Sequence, residues 1–98
     1  MIEAIVMDIN PLKAKTLGEF CSLMRQRENI TQEDLAKMIG VTRNTVNRTE
    51  MGMVERPYQH LRFLKRWMNE AELVHLLDLL RLIDLKNLTE NKTNLELK

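Results

Sequence analysis

The stretch TQEDLAKMIGVTRNTVNRTE, residues 31–50, decides the fold of this chain. Thr31 is a favourable N-cap at its start, and Gly40 in its middle suits the left-handed position at which helices end. Thr42 follows as a second N-cap. The stretch therefore predicts two short helices joined by a tight turn, the second of them over residues 43–50.

Small and apolar residues fall where two crossed helices need them. Ala36 lies four residues before Gly40, and Val46 lies six residues after it. Helices that meet near a right angle need a small side chain at their approach, a residue free to take positive φ at the turn, and one apolar contact from the second helix. Such a pair leaves one face of the second helix unpacked. That face carries Arg43, Asn44, Asn47 and Arg48.

The unpacked face has the chemistry of a base reader. Arginine donates two parallel hydrogen bonds to guanine O6 and N7, and asparagine pairs in a similar bidentate way with adenine N6 and N7. A solvated polar helix is the alternative, but Lys and Glu would serve solubility alone. Residues 43–50 hold two Arg, two Asn and a single acid. This composition favours a helix that enters the major groove of DNA.

The remainder of the chain is predicted to be mainly helical. It has only four aromatic residues, three Gly and two Pro, fewer than many short strands and tight turns would require. Apolar periodicity predicts further helices over residues 16–29, 58–69 and 71–88. We divide the chain into an N-terminal extension with a possible short strand at residues 2–7, a central domain, a C-terminal helix and a flexible tail: residues 1–15, 16–68, 69–88 and 89–98.

Composition argues against several classes of site. One cysteine, Cys21, and two histidines cannot form a Cys/His metal cluster, and no nucleophile has a base at a recognisable spacing. We therefore expect no enzyme activity, no catalytic residue, no metal and no cofactor. No apolar run approaches a membrane span, and the N-terminus lacks a signal-peptide pattern, so a soluble, cytoplasmic protein is expected. Residues 16–68 hold nine Lys and Arg against six Asp and Glu, which permits contact with nucleic acid.

Residues 16–68 resemble the Cro/C1-type (Xre-like) helix-turn-helix domains of phage repressors and bacterial regulators. The residues that carry the resemblance, without a gap, are Gln32, Ala36, Gly40, Val41, Thr42, Val46, Glu50, Gly52 and Pro57. The resemblance implies an all-α fold, a compact five-helix domain of the lambda-repressor-like type that binds double-stranded DNA. Thr49 departs from the pattern, because the family often has a large apolar residue there, so we expect unusual packing after the second helix of the pair.

The resemblance also implies roles for individual side chains. Base reading falls to four residues of the second helix: Arg43, Asn44, Asn47 and Arg48. Contacts to the DNA backbone fall to Gln32, Thr42 and Arg56. Arg25 and Glu50 are expected to form a partly buried structural pair, with two separate surface charges as the alternative.

The helix predicted over residues 71–88 has more apolar surface than one domain can cover. A helix packed on its own domain needs an apolar stripe about a third of its circumference wide. We assign Leu73, Leu76, Leu77, Leu80 and Ile83 to the core of the domain. The residues left over for a dimer interface are Leu79, Leu82 and Leu85. A helix that packs wholly within its own small bundle is the alternative.

These features predict a sequence-specific transcriptional regulator that acts as a two-fold homodimer on an inverted-repeat operator. A dimer places two such helices about 34 Å apart, on successive major grooves. The type expected is a repressor of a phage or mobile element, which could regulate its own gene. The alternative is an antitoxin or other protein-interaction module that neutralises a partner protein and uses DNA binding for autoregulation.

Overall fold

The computed structural model describes residues 9–96, with side chains described for residues 9–88. Five α-helices follow one another: α1 Leu17–Arg27, α2 Gln32–Ile39, α3 Arg43–Glu50, α4 Tyr58–Leu64 and α5 Glu70–Glu96. Short 3₁₀ turns lie at Pro11–Lys13 and Lys65–Trp67. The described part of the chain contains no strand, so the predicted all-α, five-helix fold is confirmed. The possible strand at residues 2–7 lies outside the described residues.

Side-chain caps start the helices at the positions that the sequence predicts. The hydroxyl oxygens of Thr16, Thr31 and Thr42 each accept a hydrogen bond from the backbone N–H three residues later, at 3.0–3.1 Å. These bonds satisfy donors that a helix N-terminus otherwise leaves unpaired. Gly40 ends α2 with a φ of 89°, a left-handed conformation that favours glycine.

One apolar core joins the helices. Phe20 and Met24 of α1, Leu35 of α2, Val46 of α3 and Leu64 of α4 are fully buried. Burial of a side chain of this size stabilises the fold by about 1.5–3 kcal/mol. Since each of the first four helices contributes at least one such residue, the core fixes the position of α3 and leaves the opposite side of α3 to solvent.

α1 approaches the backbone at the end of α3 closely. A Cβ added at Gly18 would lie 2.7 Å from the carbonyl oxygen of Glu50 and 2.8 Å from that of Thr49. Thr49 itself is buried. Only glycine at position 18 lets α1 approach the α3 backbone this closely.

The long helix α5 differs from the prediction in its length and in its rotation. It continues to Glu96, through residues predicted as a flexible tail, because no Gly or Pro stops it there. Leu79 is only 5% exposed and lies in the core beside Leu76, whereas Leu77 is 63% exposed. The assignment of Leu79 to a dimer interface was therefore wrong. The assignment of Leu77 to the core was also wrong. On a helix with this many leucines, apolar spacing alone is consistent with two adjacent stripes and does not show which one is buried.

Polar contacts fix the start of α5 against α1. Glu72, which is buried, accepts hydrogen bonds from the Arg27 guanidinium and from the backbone N–H of Asn69, the latter at 3.0 Å. Arg27 also donates to the carbonyl oxygen of Trp67 at 2.8 Å. Further along α5, His75 Nε2 lies 2.7 Å from the carbonyl oxygen of Ala14. These contacts set the rotation of α5, and with it the face that α5 turns to solvent.

Candidate nucleic-acid interface

The outer face of α3 presents three long polar side chains to solvent. Arg43, Asn44 and Arg48 are exposed, and their side chains make no hydrogen bond or ion pair to any residue that the structure describes. Val46 and Thr49, on the opposite face, are buried. The helix is therefore anchored by one side, while two guanidinium groups and one amide remain available to an external ligand.

Asn47 differs from these three residues. It is half-buried, its Oδ1 accepts from Gln32 Nε2 at 3.3 Å, and its Nδ2 lies 3.4 Å from the sulfur of Met51. The structure thus places Asn47 in the contact between α2 and α3. Sequence periodicity put it on the base-reading face but could not show that its amide already has partners within the protein.

Gln32, expected to contact the DNA backbone, is the first residue of α2 and is half-buried. Its Nε2 donates to Glu50 Oε1 at 2.9 Å, in addition to its contact with Asn47. Gln32 therefore links the start of α2 to Asn47 and Glu50 of α3. Backbone N–H groups at a helix N-terminus attract anions such as phosphate, and Gln32 stands at that end of α2.

Arg25 and Glu50 form a bidentate ion pair beneath this network. Arg25 Nε lies 2.7 Å from Glu50 Oε2, and Arg25 Nη2 lies 3.1 Å from Glu50 Oε1. The remaining nitrogen of Arg25, Nη1, donates to the carbonyl oxygen of Ile30 at 2.7 Å. The two side chains are only 13% and 6% exposed. The pair ties α1 to the end of α3 and to the loop before α2.

Thr42 and Arg56, the other residues expected at the DNA backbone, flank α3. The Thr42 hydroxyl caps α3 and lies 2.9 Å from the Thr45 hydroxyl. Arg56 forms ion pairs with Glu55, at 2.9 Å, and with Asp84 of α5. The hydrogen bond from Arg56 to Asp84 raises the pKa of the guanidinium. Asp84 is a partner of Arg56 that sequence reasoning missed, because no local pattern relates residues this far apart.

Comparison with known families bears on this arrangement directly. Residues 23–57 match the helix-turn-helix family, of the Cro/C1, Xre-like type. This match identifies α2, the turn and α3 as a helix-turn-helix motif. The match runs from the second half of α1 through α2 and α3 to Pro57, and it confirms the resemblance noted in the sequence. No curated protein and no solved structure gives a significant match to the chain.

The helix-turn-helix itself consists of α2, the turn around Gly40 and α3. Domains of this family bind DNA and regulate transcription, and α3 is the helix that such a domain directs towards the major groove. The exposed Arg43, Asn44 and Arg48 lie on that helix. The 3₁₀ turn at Lys65–Trp67 and α5 lie outside the matched residues.

Two titratable groups, Cys21 of α1 and His60 of α4, are buried in the core beside the helix-turn-helix. Burial lowers the pKa of His60, and the negative charge of Glu50 opposes this shift. His60 is only 3% exposed, and its Nε2 has no hydrogen-bond partner within the described residues. His60 therefore lies in the core and does not face solvent. Burial and the charge of Glu50 raise the pKa of Cys21 to about 12, which suppresses the reactive thiolate.

The described part of the chain offers neither a metal-ligand cluster nor a membrane-spanning helix. No three His, Cys, Asp or Glu side chains of residues 9–88 come together as metal ligands. In the same part of the chain, no helix combines the length and the apolarity needed to cross a membrane.

Proposed function

We propose that this protein is a sequence-specific, double-stranded-DNA-binding transcriptional regulator, and specifically a dimeric repressor that occupies an inverted-repeat operator. One observation carries the proposal: α3 offers Arg43, Asn44 and Arg48 to solvent without a side-chain partner among the described residues, while its opposite face is buried in the core. Residues that read bases need accessible donors on a fixed scaffold, because a misplaced side chain cannot form both hydrogen bonds of a bidentate contact. The proposal includes no catalytic step.

Within this proposal, Arg43 and Asn44 read base edges and Arg48 contacts a neighbouring base or phosphate. Asn47 supports them: its contact with Gln32 ties α3 to the start of α2. Gln32, Thr42 and Arg56 contact the backbone of the operator, where phosphates position the protein without carrying sequence information. Arg56 must exchange Asp84 for a phosphate when it does so, and both partners are anionic.

The proposed dimer uses the solvent face of α5. Leu82 and Leu85 of the originally predicted interface are 60% and 52% exposed, which is a poor arrangement for an isolated chain in water. A two-fold dimer covers such a face and presents two copies of α3 at a spacing of about 34 Å. Occupancy of a promoter operator, including that of its own gene, would then repress transcription.

An antitoxin-like module remains the second candidate function, and the same exposed face of α5 favours it. In that case the leucines of α5 would cover a different protein, and DNA binding would serve autoregulation. Purification of the tagged chain from its native host separates the two. A stoichiometric second protein that masks α5 supports the module, and a homodimer without such a protein supports the repressor.

Selection of bound sites from random double-stranded DNA tests the proposed function most directly. We expect an inverted repeat to be enriched, with binding that weakens steeply as salt rises, because phosphate contacts release counterions. Recovery of DNA without any common sequence would contradict sequence-specific regulation. The Arg43→Ala variant is the matched control, since it should enrich sites relaxed at one symmetric position.

A further inference from the structure

The solvent face of α5 carries an unusual number of exposed apolar side chains. Five of its residues are more than half exposed: Val74, Leu77, Leu82, Leu85 and Leu88. The opposite side of the same helix packs against the domain through the buried Leu76 and Leu79. α5 thus divides its apolar residues between an inner face that the domain covers and an outer face that the described residues of the chain leave open to solvent.

The spacing along the outer face is that of a helix-pairing seam. Val74, Asp78, Arg81, Leu85 and Leu88 follow one another at alternating steps of four and three residues. This alternation places them in one line on the helix and is the spacing of residues that meet between two paired helices. The seam begins and ends with apolar residues, but its middle is charged.

The two charges in the middle of the seam restrict what can pack against it. Asp78 and Arg81 are both exposed, and neither side chain has an ion pair or side-chain hydrogen bond within the described residues. A wholly apolar partner surface would bury both charges without compensation, which is costly. The occupant must therefore offer an acid and a base at matching positions, between apolar residues.

A second copy of this chain meets that requirement in an antiparallel arrangement. We propose that α5 pairs with α5 of another copy so that Val74 packs against the partner's Leu85 and Asp78 forms an ion pair with the partner's Arg81. The two-fold axis produces each contact twice. This inference rests on the dimer of the proposed function, and it supplies the direction, the register and the charged residues of the interface.

Other arrangements of the same two helices are unfavourable. A parallel pair places Asp78 against the partner's Asp78 and Arg81 against the partner's Arg81, and like charges at contact are destabilising. An antiparallel pair shifted by one heptad places Arg81 against the partner's Leu85. Only the proposed register combines opposite charges in the middle with apolar contacts on both sides of them.

Charge reversal in the full-length chain tests the ion pairs. Asp78→Arg and Arg81→Asp should each raise the dissociation constant of the dimer by about tenfold or more, because each creates two like-charge contacts. A mixture of these two variants should form a heterodimer as stable as the wild-type dimer, since every contact then joins opposite charges. Sedimentation velocity of each variant and of the mixture measures the effect.

The matched controls change the same charges on another helix. Glu33→Arg and Lys37→Asp alter an exposed pair on α2 and should leave the dimer unchanged. A wild-type chain that stays monomeric at high micromolar concentration would overturn the inference, as would single reversals that dimerise normally. Equal weakening by the α2 controls would also overturn it, because the effect would then come from net charge.

Disulfide formation tests the direction of the helices. A mixture of Val74→Cys and Leu85→Cys should give a crosslinked heterodimer, whereas each variant alone should give none. In the proposed register two copies of position 74 lie about 16 Å apart along the helix, given a rise of about 1.5 Å per residue, which is beyond disulfide reach. The native Cys21 is buried and does not compete.

Self-crosslinking of each single variant would show a parallel pair and overturn the proposed register. These results are separable from the proposed function. A crosslinked antiparallel dimer that selects no DNA sequence supports the interface and contradicts the repressor. A monomer that selects a single half-site through Arg43 contradicts the interface and leaves sequence-specific DNA binding intact.

Discussion

Arg43, Asn44 and Arg48 lie on the same short helix as Asn47, yet among the described residues only the Asn47 side chain of these four has hydrogen-bond partners. A side chain with no internal partner loses little when it turns towards a base, whereas one already bonded must first break those contacts. At the scale of single residues, replacing the accessible donors of α3 should therefore affect DNA binding, whereas replacing the residues that hold α3 in place should affect stability.

Arg43→Ala should reduce discrimination at one base pair of the operator by about 1–3 kcal/mol, because it removes a bidentate donor. Asn44→Ala should act similarly at a different base pair. Arg56→Ala is the control, and it should weaken binding to all sequences by a similar factor. Competition binding with single-base operator variants distinguishes these patterns, and unchanged preference in Arg43→Ala would contradict its assigned role.

Glu50→Ala should destabilise the domain by about 3–5 kcal/mol, because it leaves Arg25 charged, largely buried and without its carboxylate. Arg25→Met combined with Glu50→Leu should be less destabilising than Glu50→Ala, since neither buried charge then remains. Urea denaturation of Glu50→Ala, Arg25→Met, Glu50→Leu and the double variant Arg25→Met with Glu50→Leu measures these losses. Additive losses in that cycle would show that the two side chains do not act as a pair.

His60 should make stability depend on pH. Its pKa is lowered in the folded domain, so the unfolded chain binds a proton near pH 6.5 where the folded chain does not. His60 should therefore not reduce the free energy of unfolding above about pH 6.5. As the pH falls below that value, the free energy of unfolding should decrease, because protonation of His60 favours the unfolded chain. Thermal denaturation from about pH 7.5 to 5.5 should show a smaller decrease for His60→Leu than for wild type. An identical decrease would exclude His60 as the cause.

At the scale of the element, the approach of α1 to α3 determines how the reading helix is held. Helix propensity alone predicts that Gly18→Ala stabilises α1 by up to about 1 kcal/mol. The structure predicts the opposite sign, because the added Cβ would lie 2.7 and 2.8 Å from backbone carbonyl oxygens of α3. We expect a loss of about 1–3 kcal/mol from overpacking.

Chemical denaturation of Gly18→Ala measures that loss, and Ser22→Ala on the same helix serves as the control. Ser22 is half-buried and its hydroxyl accepts a hydrogen bond from Gln26 Nε2 of the same helix at 2.8 Å, so its replacement should cost about 1 kcal/mol or less. A more stable Gly18→Ala protein would show that α1 and α3 lie further apart than described.

At the scale of the whole molecule, α5 has separate inner and outer faces with separate consequences. Leu79→Ala should cost about 2–5 kcal/mol of stability, because it opens a cavity in the core. Leu82→Glu changes a side chain that is 60% exposed, so it should leave monomer stability nearly unchanged and shift the oligomer towards monomer. Light scattering measures the molecular mass and thermal denaturation measures the stability. A Leu82→Glu variant that loses stability without a change in mass would contradict the division of α5 into an inner and an outer face.

The sequence by itself determined the order of the helices, their caps and the exposed side of α3. These follow from local rules: which residues satisfy the first N–H groups, which glycine tolerates positive φ, and how apolar residues repeat. Thr31, Gly40 and Thr42 therefore defined the helix pair correctly. The family resemblance added the Arg25 and Glu50 pair, which no local rule contains.

Only the tertiary structure decided which leucines α5 buries, that Asn47 contacts Gln32, and that Arg56 meets Asp84. Each of these contacts depends on how a helix is rotated about its axis or on residues that are distant in sequence. On α5, two different apolar stripes are equally consistent with the spacing of the leucines. The contacts of Glu72 with Arg27 and of His75 with Ala14 select one of the two rotations of α5. Leaving these buried polar groups unpaired would be costly, so the rotation that pairs them is favoured.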